Sequence, residues 1–145
     1  MNRIGLDKEK SKRIAEKLNG LLANYSVFYQ NVRGYHWNIK GNKFFELHDK
    51  FQELYEDLFV KIDEVAERIK TLGHIPNHKF SDYQKDADIK ESDEVSDGIK
   101  DVKDILESFK IIIWDLRGSD KIIIEYGVFY QKRNILLAKL KQSEY

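Results

Sequence analysis

Apolar residues recur at three- and four-residue steps along most of this chain, and this periodicity limits the possible folds more than any other feature. The first apolar stripe begins near residue 7 or 8 and continues to about Trp37. The second stripe is the strongest and runs from about Phe45 to Thr71, with Gly73 at a position typical of a helix end. Because this spacing places apolar side chains on one face of a helix, each stretch predicts a long amphipathic helix.

The second half of the chain continues the pattern after an interruption. The periodicity lapses from His74 to Glu91, where a short helix is expected near Tyr83. A third long helix is predicted from Asp93 to Arg117. Its predicted inner face consists of Val95, Ile99, Val102, Ile105, Leu106 and Phe109.

A fourth helical pattern follows a predicted turn at residues 118–120 and extends to about Lys141. Its β-branched start, Ile122 to Ile124, could indicate a strand, but its length and later spacing favour a helix. Pro76 is the one proline, so long helices can run without interruption. The sequence therefore predicts an all-α four-helix bundle, with a short extra helix between helices two and three, in a single domain covering residues 1–145.

Composition limits the binding partners and the cellular compartment that we expect for the protein. The 25 basic and 25 acidic residues balance, so the chain has no general attraction to nucleic acid or acidic membranes. Cysteine is absent, which excludes disulfides and thiolate metal sites. Met1 is followed by polar residues, and no apolar stretch is long enough to span a bilayer. We expect a soluble cytoplasmic protein without a membrane partner.

A basic cluster near the N-terminus raises the question of DNA binding. Its members are Lys8, Lys10, Lys12, Arg13 and Lys17. Asp7, Glu9 and Glu16 are interleaved with them on the first predicted helix, and phosphate binding needs several unopposed cations. We interpret the cluster as a solvated helix face and expect no DNA binding.

Two histidines and two carboxylates form a candidate ligand set for iron. His36 lies near the end of the first helix and His48 near the start of the second, so the two imidazoles share one end of an antiparallel pair. Asp63 and Glu67 are four residues apart and share a helical face. Imidazole and carboxylate are both suitable ligands for iron. His74 and His78 are expected in an exposed loop.

A single subunit cannot bring all four side chains to one ion. His48 and Asp63 are separated by fifteen residues on one helix, which corresponds to ~22 Å. A site containing all four must combine two copies in opposite orientation, as a two-fold axis does. A di-iron centre within one subunit would need Glu-x-x-His pairs, and no Glu stands three residues before any histidine.

The chain resembles the Dps family, the mini-ferritins also called DNA-binding proteins from starved cells, and in particular a Bacteroidetes-like branch. The resemblance is dense from about Asn31 to Tyr83. The residues that carry it are His36-Trp37-Asn38, Lys40-Gly41, Phe44-Phe45, Leu47-His48, Asp63, Ala66-Glu67-Arg68 and Leu72-Gly73.

The resemblance implies a ferritin-like bundle that assembles into a hollow homododecamer with metal sites at two-fold interfaces. His36 and His48 of one subunit and Asp63 and Glu67 of its partner would bind iron, and zinc or another divalent metal could substitute. The implied activity is that of a ferroxidase, which oxidises Fe(II) with hydrogen peroxide or dioxygen, stores the ferric product and protects against oxidative stress.

The chain departs from the family pattern at two places. Members of the family usually have an acidic residue four positions after the second histidine, where this chain has Gln52. One iron per site, slower oxidation, or binding without turnover all remain open. The joint at residues 118–120 is short and a tryptophan common in the last helix is absent, so acidic pore residues are not carried over; Asp115 and Asp120 are only candidates. The alternative function is a Dps-like shell or scaffold protein that binds metal or DNA without efficient oxidation.

Overall fold

The computed structural model describes residues 7–117, and these residues form three long α-helices and one short one. The helices are α1 (Lys8–Asn38), α2 (Phe44–Thr71), α3 (Phe80–Asp86) and α4 (Gly98–Arg117). The described residues contain no strand; an isolated parallel β-bridge joins Lys40 and Asp97. In this part of the chain, no helix combines the length and hydropathy needed to cross a membrane. The predicted fourth long helix lies outside the described residues.

Local sequence explains where the first two helices begin and end. The carboxylate of Asp7 accepts hydrogen bonds from the backbone N–H groups of Glu9 and Lys10, at 3.0 and 3.1 Å, and so caps α1. Gly41 has a φ of 97°, a conformation that glycine adopts without a Cβ penalty, and it forms the tight turn into α2. The predicted bounds of the first two long helices are confirmed to within a residue or two.

The C-terminus of α2 is closed by Gly73 at a φ of 85°. The Gly73 N–H donates to the carbonyl oxygen of Lys70 at 2.9 Å, and the His74 N–H donates to that of Ile69 at 3.2 Å. This pair of bonds is a Schellman motif, which satisfies carbonyl groups that would otherwise lack partners at the helix end. The predicted helix end at Gly73 is therefore confirmed.

Replacing Gly73 with alanine is expected to lower the free energy of unfolding by about 1 kcal/mol, because an L side chain is strained at this φ. Gly20 provides the matched control. It lies inside α1, and none of the described residues has an atom within 4 Å of the position its Cβ would take, so Gly20→Ala should raise stability by about 0.5–1 kcal/mol. Urea unfolding of both variants measures the difference. Equal stability of Gly73→Ala and wild type would show that the motif contributes nothing.

The core lies between α1 and the other three helices, since α1 contacts each of them. Among the described residues, the large apolar side chains that are almost fully buried are Leu22, Phe28, Val32, Tyr35, Phe51, Leu54, Leu58, Val65, Ile69 and Ile105. Phe28 of α1 meets Phe109 of α4 edge to face, with ring centroids 5.2 Å apart. Burial of such side chains stabilises by about 1.5–3 kcal/mol each, so α1 serves as the central element of the packing.

Three asparagines of α1 anchor the connection between α2 and α4. The Oδ1 of Asn19 accepts from the backbone N–H of Asn77 at 2.8 Å. The buried Oδ1 of Asn24 accepts from the N–H groups of residues 88 and 89, at 2.8 and 3.0 Å. Asn31 accepts from the Ser92 N–H and donates to the carbonyl oxygen at residue 90. These bonds satisfy backbone groups that a non-helical segment would otherwise leave unpaired against the core.

The prediction for the third long helix was wrong at its start. The helix begins at Gly98 and not at Asp93, because the carboxylate of Asp97 accepts from the N–H groups of Ile99 and Lys100 and caps the helix there. Ile99, which was expected on the inner face, is 71% exposed, whereas Ile105 and Phe109 are buried as predicted. The short helix expected near Tyr83 is confirmed as α3.

Candidate metal centre

The structure brings His36 and His48 into direct contact. His36 lies in the last turns of α1 and His48 lies in the second turn of α2, at the end of the helix pair where the Gly41 turn joins them. Their imidazole rings stack with centroids 3.7 Å apart and an angle of 22° between planes. His36 is buried, with 9% of its surface exposed, and His48 is half-buried. Two imidazoles therefore meet at one partly covered position.

Each histidine is held by a hydrogen bond to the backbone of the other. The Nδ1 of His36 lies 2.8 Å from the carbonyl oxygen of His48, and the Nδ1 of His48 lies 2.8 Å from the carbonyl oxygen of His36. A carbonyl oxygen can only accept, so both Nδ1 atoms must be donors and must carry the proton of the neutral rings. The Nε2 lone pairs then remain available, which is the arrangement of most metal-binding histidines.

Aromatic neighbours fix the orientation of both rings. Phe44 stacks against His48 with centroids 5.0 Å apart and a 23° angle between planes. Tyr55 meets His36 edge to face at 5.3 Å. With the reciprocal hydrogen bonds, these contacts restrict rotation of the imidazoles, so the directions of their Nε2 atoms are set before any ligand binds.

Asp63 and Glu67 lie apart from the histidines, toward the other end of α2. Both are exposed, and neither side chain makes a hydrogen bond or ion pair with another described residue. Among the described residues, no three side chains of the histidine, aspartate and glutamate types are close enough to hold one metal ion. The structure thus brings together the two histidines but does not join them to the two carboxylates within one chain.

Gln52 is exposed on α2, one turn after His48. Its Nε2 donates to the Oε1 of Glu56 at 2.9 Å, so the amide is tied to a carboxylate one turn further along the helix. A neutral amide contributes no negative charge to a cation, and its oxygen is a weaker ligand than a carboxylate oxygen for a hard ion. Gln52, one turn after His48, therefore supplies less negative charge than a carboxylate at this position would.

The remaining candidates from the sequence have other surroundings. His78 is exposed, as expected, but His74 is half-buried, with its Nε2 3.1 Å from the Ser11 hydroxyl. Asp115 faces inward and accepts from the Nδ2 of Asn24 at 2.6 Å, and burial raises the pKa of its carboxyl group. Asp120 lies outside the described residues. The basic residues from Lys8 to Lys17 lie on the first turns of α1, as predicted.

Sequence reasoning missed the aromatic residues that support the histidines. Phe44 precedes His48 by four residues, and this i, i+4 spacing on a helix was a usable signal. Tyr55 follows His48 by seven residues and shares its helix face, but its contact with His36 depends on how α1 and α2 pack. The reciprocal bonds to carbonyl oxygens had no signal in the sequence.

Comparisons with known proteins place the chain among ferritin-like proteins. The ferritin-like domain family matches residues 15–119. A protein of Haemophilus influenzae, named only as uncharacterized, is 54% identical over 110 residues, which are 76% of this chain and 69% of the relative. The DNA protection during starvation protein of Porphyromonas gingivalis is 41% identical over 123 residues, or 85% of this chain and 77% of the relative.

A solved structure extends the likeness to the fold. The crystal structure of the Dps protein from Vibrio cholerae, described as a member of a superfamily of ferritin-like diiron-carboxylate proteins, superimposes with a TM-score of 0.82 and 45% identity. The match covers 99% of this chain and 87% of the other. It confirms the prediction of an all-α, ferritin-like four-helix bundle.

Proposed function

The chain belongs to the Dps family of ferritin-like proteins, and from this premise we propose that it binds Fe(II) between subunits and oxidises it for storage. The observation that carries the proposal is the contact between His36 and His48, whose rings are held in place by reciprocal hydrogen bonds. Both Nδ1 atoms donate to carbonyl oxygens, so both Nε2 atoms are free to bind a cation without a change of tautomer.

The proposed site is completed by a second copy of the chain. Asp63 and Glu67 are exposed, unpaired with other described residues, and too far along α2 to reach the histidines of their own subunit. A two-fold axis that places the carboxylate end of one α2 against the histidine end of the other forms two equivalent sites. We propose that such dimers build a dodecameric hollow shell, which is the assembly that the family resemblance implies.

Each group has a distinct part in the proposed chemistry. The imidazoles bind as neutral ligands and fix the position of the iron. The carboxylates of Asp63 and Glu67 bring negative charge, which favours the ferric product over the ferrous substrate. With hydrogen peroxide as oxidant, two ferrous ions each lose one electron, the O–O bond breaks, and two protons complete two water molecules. Dioxygen is the second candidate oxidant.

Gln52 favours one alternative, a Dps-like shell or scaffold without efficient oxidation. The Gln52 amide, one turn after His48, is neutral and is hydrogen-bonded to Glu56. A bound ion would therefore face one negative charge fewer than if this residue were a carboxylate. A site with lower charge stabilises Fe(III) less and retains a second ion less firmly. Under this alternative the protein binds metal at the histidine pair but does not turn it over rapidly.

Anaerobic loading with Fe(II), followed by peroxide while the ferric absorbance is recorded, separates the two functions. We expect rapid oxidation at a fixed ratio of iron to subunit. His48→Ala should reduce both Fe(II) affinity and the oxidation rate at least about tenfold, because it removes a ligand and the ring that stacks on His36. His78→Ala is the matched control, since His78 is exposed and should leave both unchanged.

The same experiment can contradict the proposal. Oxidation at the rate of buffer, with tight Fe(II) binding that still depends on His48, would favour the scaffold function. Equal affinity in wild type and His48→Ala would exclude the histidine pair as a site. Anaerobic zinc is expected to compete with Fe(II), because zinc accepts the same imidazole and carboxylate ligands.

A further inference from the structure

Asp101 is a fully buried carboxyl group that the proposed iron chemistry does not use. It lies in the first turn of α4 and has 0% of its surface exposed. Neither of its side-chain oxygens has a hydrogen-bond partner among the described residues. A buried charge without a partner is strongly unfavourable, so this position accepts the neutral acid far better than the carboxylate.

The charged groups around Asp101 do not offset the unfavourable burial of its charge. Within the described part of the chain these groups are Lys100 and Asp104 on α4, and Glu94 and Asp97 on the segment before it. Lys100 is the one cation among them, and its Nζ is bonded to the Oδ2 of Asp104 at 2.6 Å. From α1, the buried Tyr35 lies close enough to Asp101 for the two groups to interact electrostatically. Lys40 and Lys43, at the turn into α2, and Lys103 of α4 line the open groove beside Asp97 and Gly98.

Burial and the neighbouring carboxylates act on Asp101 in the same direction. The pKa of its carboxyl group is raised to about 7, mainly by desolvation; Lys100 opposes this rise, and Asp97, Asp104 and Glu94 add to it. The group therefore changes charge close to neutral pH and not in the acidic range of an ordinary aspartate.

The turn that contains Asp101 packs closely against the end of the bundle that holds the histidine pair. At Gly98, an added Cβ would lie 2.5 Å from the Cδ1 of Leu47, which directly precedes His48. The preceding segment contacts the α1–α2 turn through one backbone bond, from the Lys40 N–H to the Ser96 carbonyl oxygen at 3.3 Å. Together with the bond from the Ser92 N–H to Asn31 of α1, two hydrogen bonds among the described residues oppose release of residues 92–97, while tight apolar packing opposes hydration of a charge inside the turn.

We propose that Asp101 is a pH-controlled latch: the neutral acid keeps the first turn of α4 and residues 92–97 docked on α1 and α2, and the ionised form releases them. A carboxylate cannot stay at this position without a partner, so ionisation favours an open form in which water reaches it. The latch does not rest on the proposed iron chemistry, since it follows from the burial of Asp101 in the single chain.

Amide hydrogen exchange of the assembled wild-type protein at pH 5.5 and pH 8 tests the latch. After correction for intrinsic rates, amides in the first two turns of α4 should lose at least about tenfold in protection at pH 8, because the charged form gains access to the open state. Asp101→Asn cannot ionise and should show equal protection at both pH values. Glu107→Gln is the matched control on the exposed face of α4 and should behave like wild type.

A measurement without a variant covers the case in which Asp101→Asn does not fold. Infrared spectra of wild-type protein with ¹³C-labelled aspartate should show a protonated carboxyl band at pH 5.5 that disappears by pH 8. Absence of that band at pH 5.5, or protection of the α4 turn that does not change with pH, would overturn the proposal. Equal loss of protection in Asp101→Asn and wild type would also overturn it.

Discussion

Mixing His36→Ala subunits with Asp63→Ala subunits is expected to restore iron oxidation that each variant lacks alone. Each variant removes a ligand from every site of its own homo-oligomer, so both should lose at least about tenfold in oxidation rate. In a mixed dimer, the Asp63→Ala subunit supplies intact histidines to the intact carboxylates of the His36→Ala subunit. One of the two sites in that dimer then has all its ligands, whereas the other lacks both His36 and Asp63.

The two-fold symmetry of the dimer sets the fraction of wild-type activity that should return. Random pairing at equal concentrations makes about half of all dimers mixed, and each mixed dimer has one complete site out of two, so about a quarter of wild-type activity should return. The subunits can be unfolded and refolded together, or co-expressed with different tags to purify mixed assemblies. Peroxide-dependent ferric absorbance then reports the fraction of active sites.

A second mixture provides the control. His36→Ala and His48→Ala alter residues that lie in contact within one subunit, so their mixture contains no site with both histidines and should stay inactive. Activity in that mixture would mean that the two histidines act in different sites. Inactivity of the His36→Ala and Asp63→Ala mixture, with mixed assembly verified by mass, would exclude a site shared between subunits.

The sequence was sufficient to predict which histidines meet, because their positions depend only on helix periodicity and one turn. His36 and His48 flank Gly41 at similar distances, so antiparallel packing of the two helices brings them side by side. The orientation of the rings was beyond the sequence. It depends on two carbonyl oxygens and on the Tyr55 ring, and these contacts form only when α1 and α2 pack at one particular separation.

The start of α4 shows a second limit of sequence reasoning. Both Asp93 and Asp97 are acceptable helix caps, and Val95 and Ile99 continue an apolar spacing through the true boundary. The choice between the caps is made by tertiary contacts. Gly98 must approach Leu47 closely, and Asn31 binds the backbone N–H of Ser92, so the segment before Asp97 runs along α1 in a non-helical conformation.

Replacing Asp101 with asparagine is expected to flatten the dependence of stability on pH. The folded-state pKa of Asp101 is raised from 3.8 to about 7, so the acid binds its proton more tightly in the folded protein than in the unfolded chain. The stability contributed by this difference is complete below about pH 4 and is lost as pH rises to about 7. The loss is about 1.4 kcal/mol for each pH unit in that window, or ~2–3 kcal/mol between pH 5 and pH 7.

Thermal and urea unfolding at pH 5, 6, 7 and 8, at one protein concentration, measures this slope. The free energy of unfolding of Asp101→Asn should rise relative to that of wild type from pH 5 to pH 7, and the difference should remain constant above pH 7. Burial of the amide adds the same amount at every pH and does not change this trend. Part of the slope should survive in the variant, because burial also raises the pKa of Asp115. Glu107→Gln should retain the full wild-type slope. Parallel curves for wild type and Asp101→Asn would mean that Asp101 ionises as readily in the folded protein as in the unfolded chain, which its complete burial without a partner argues against.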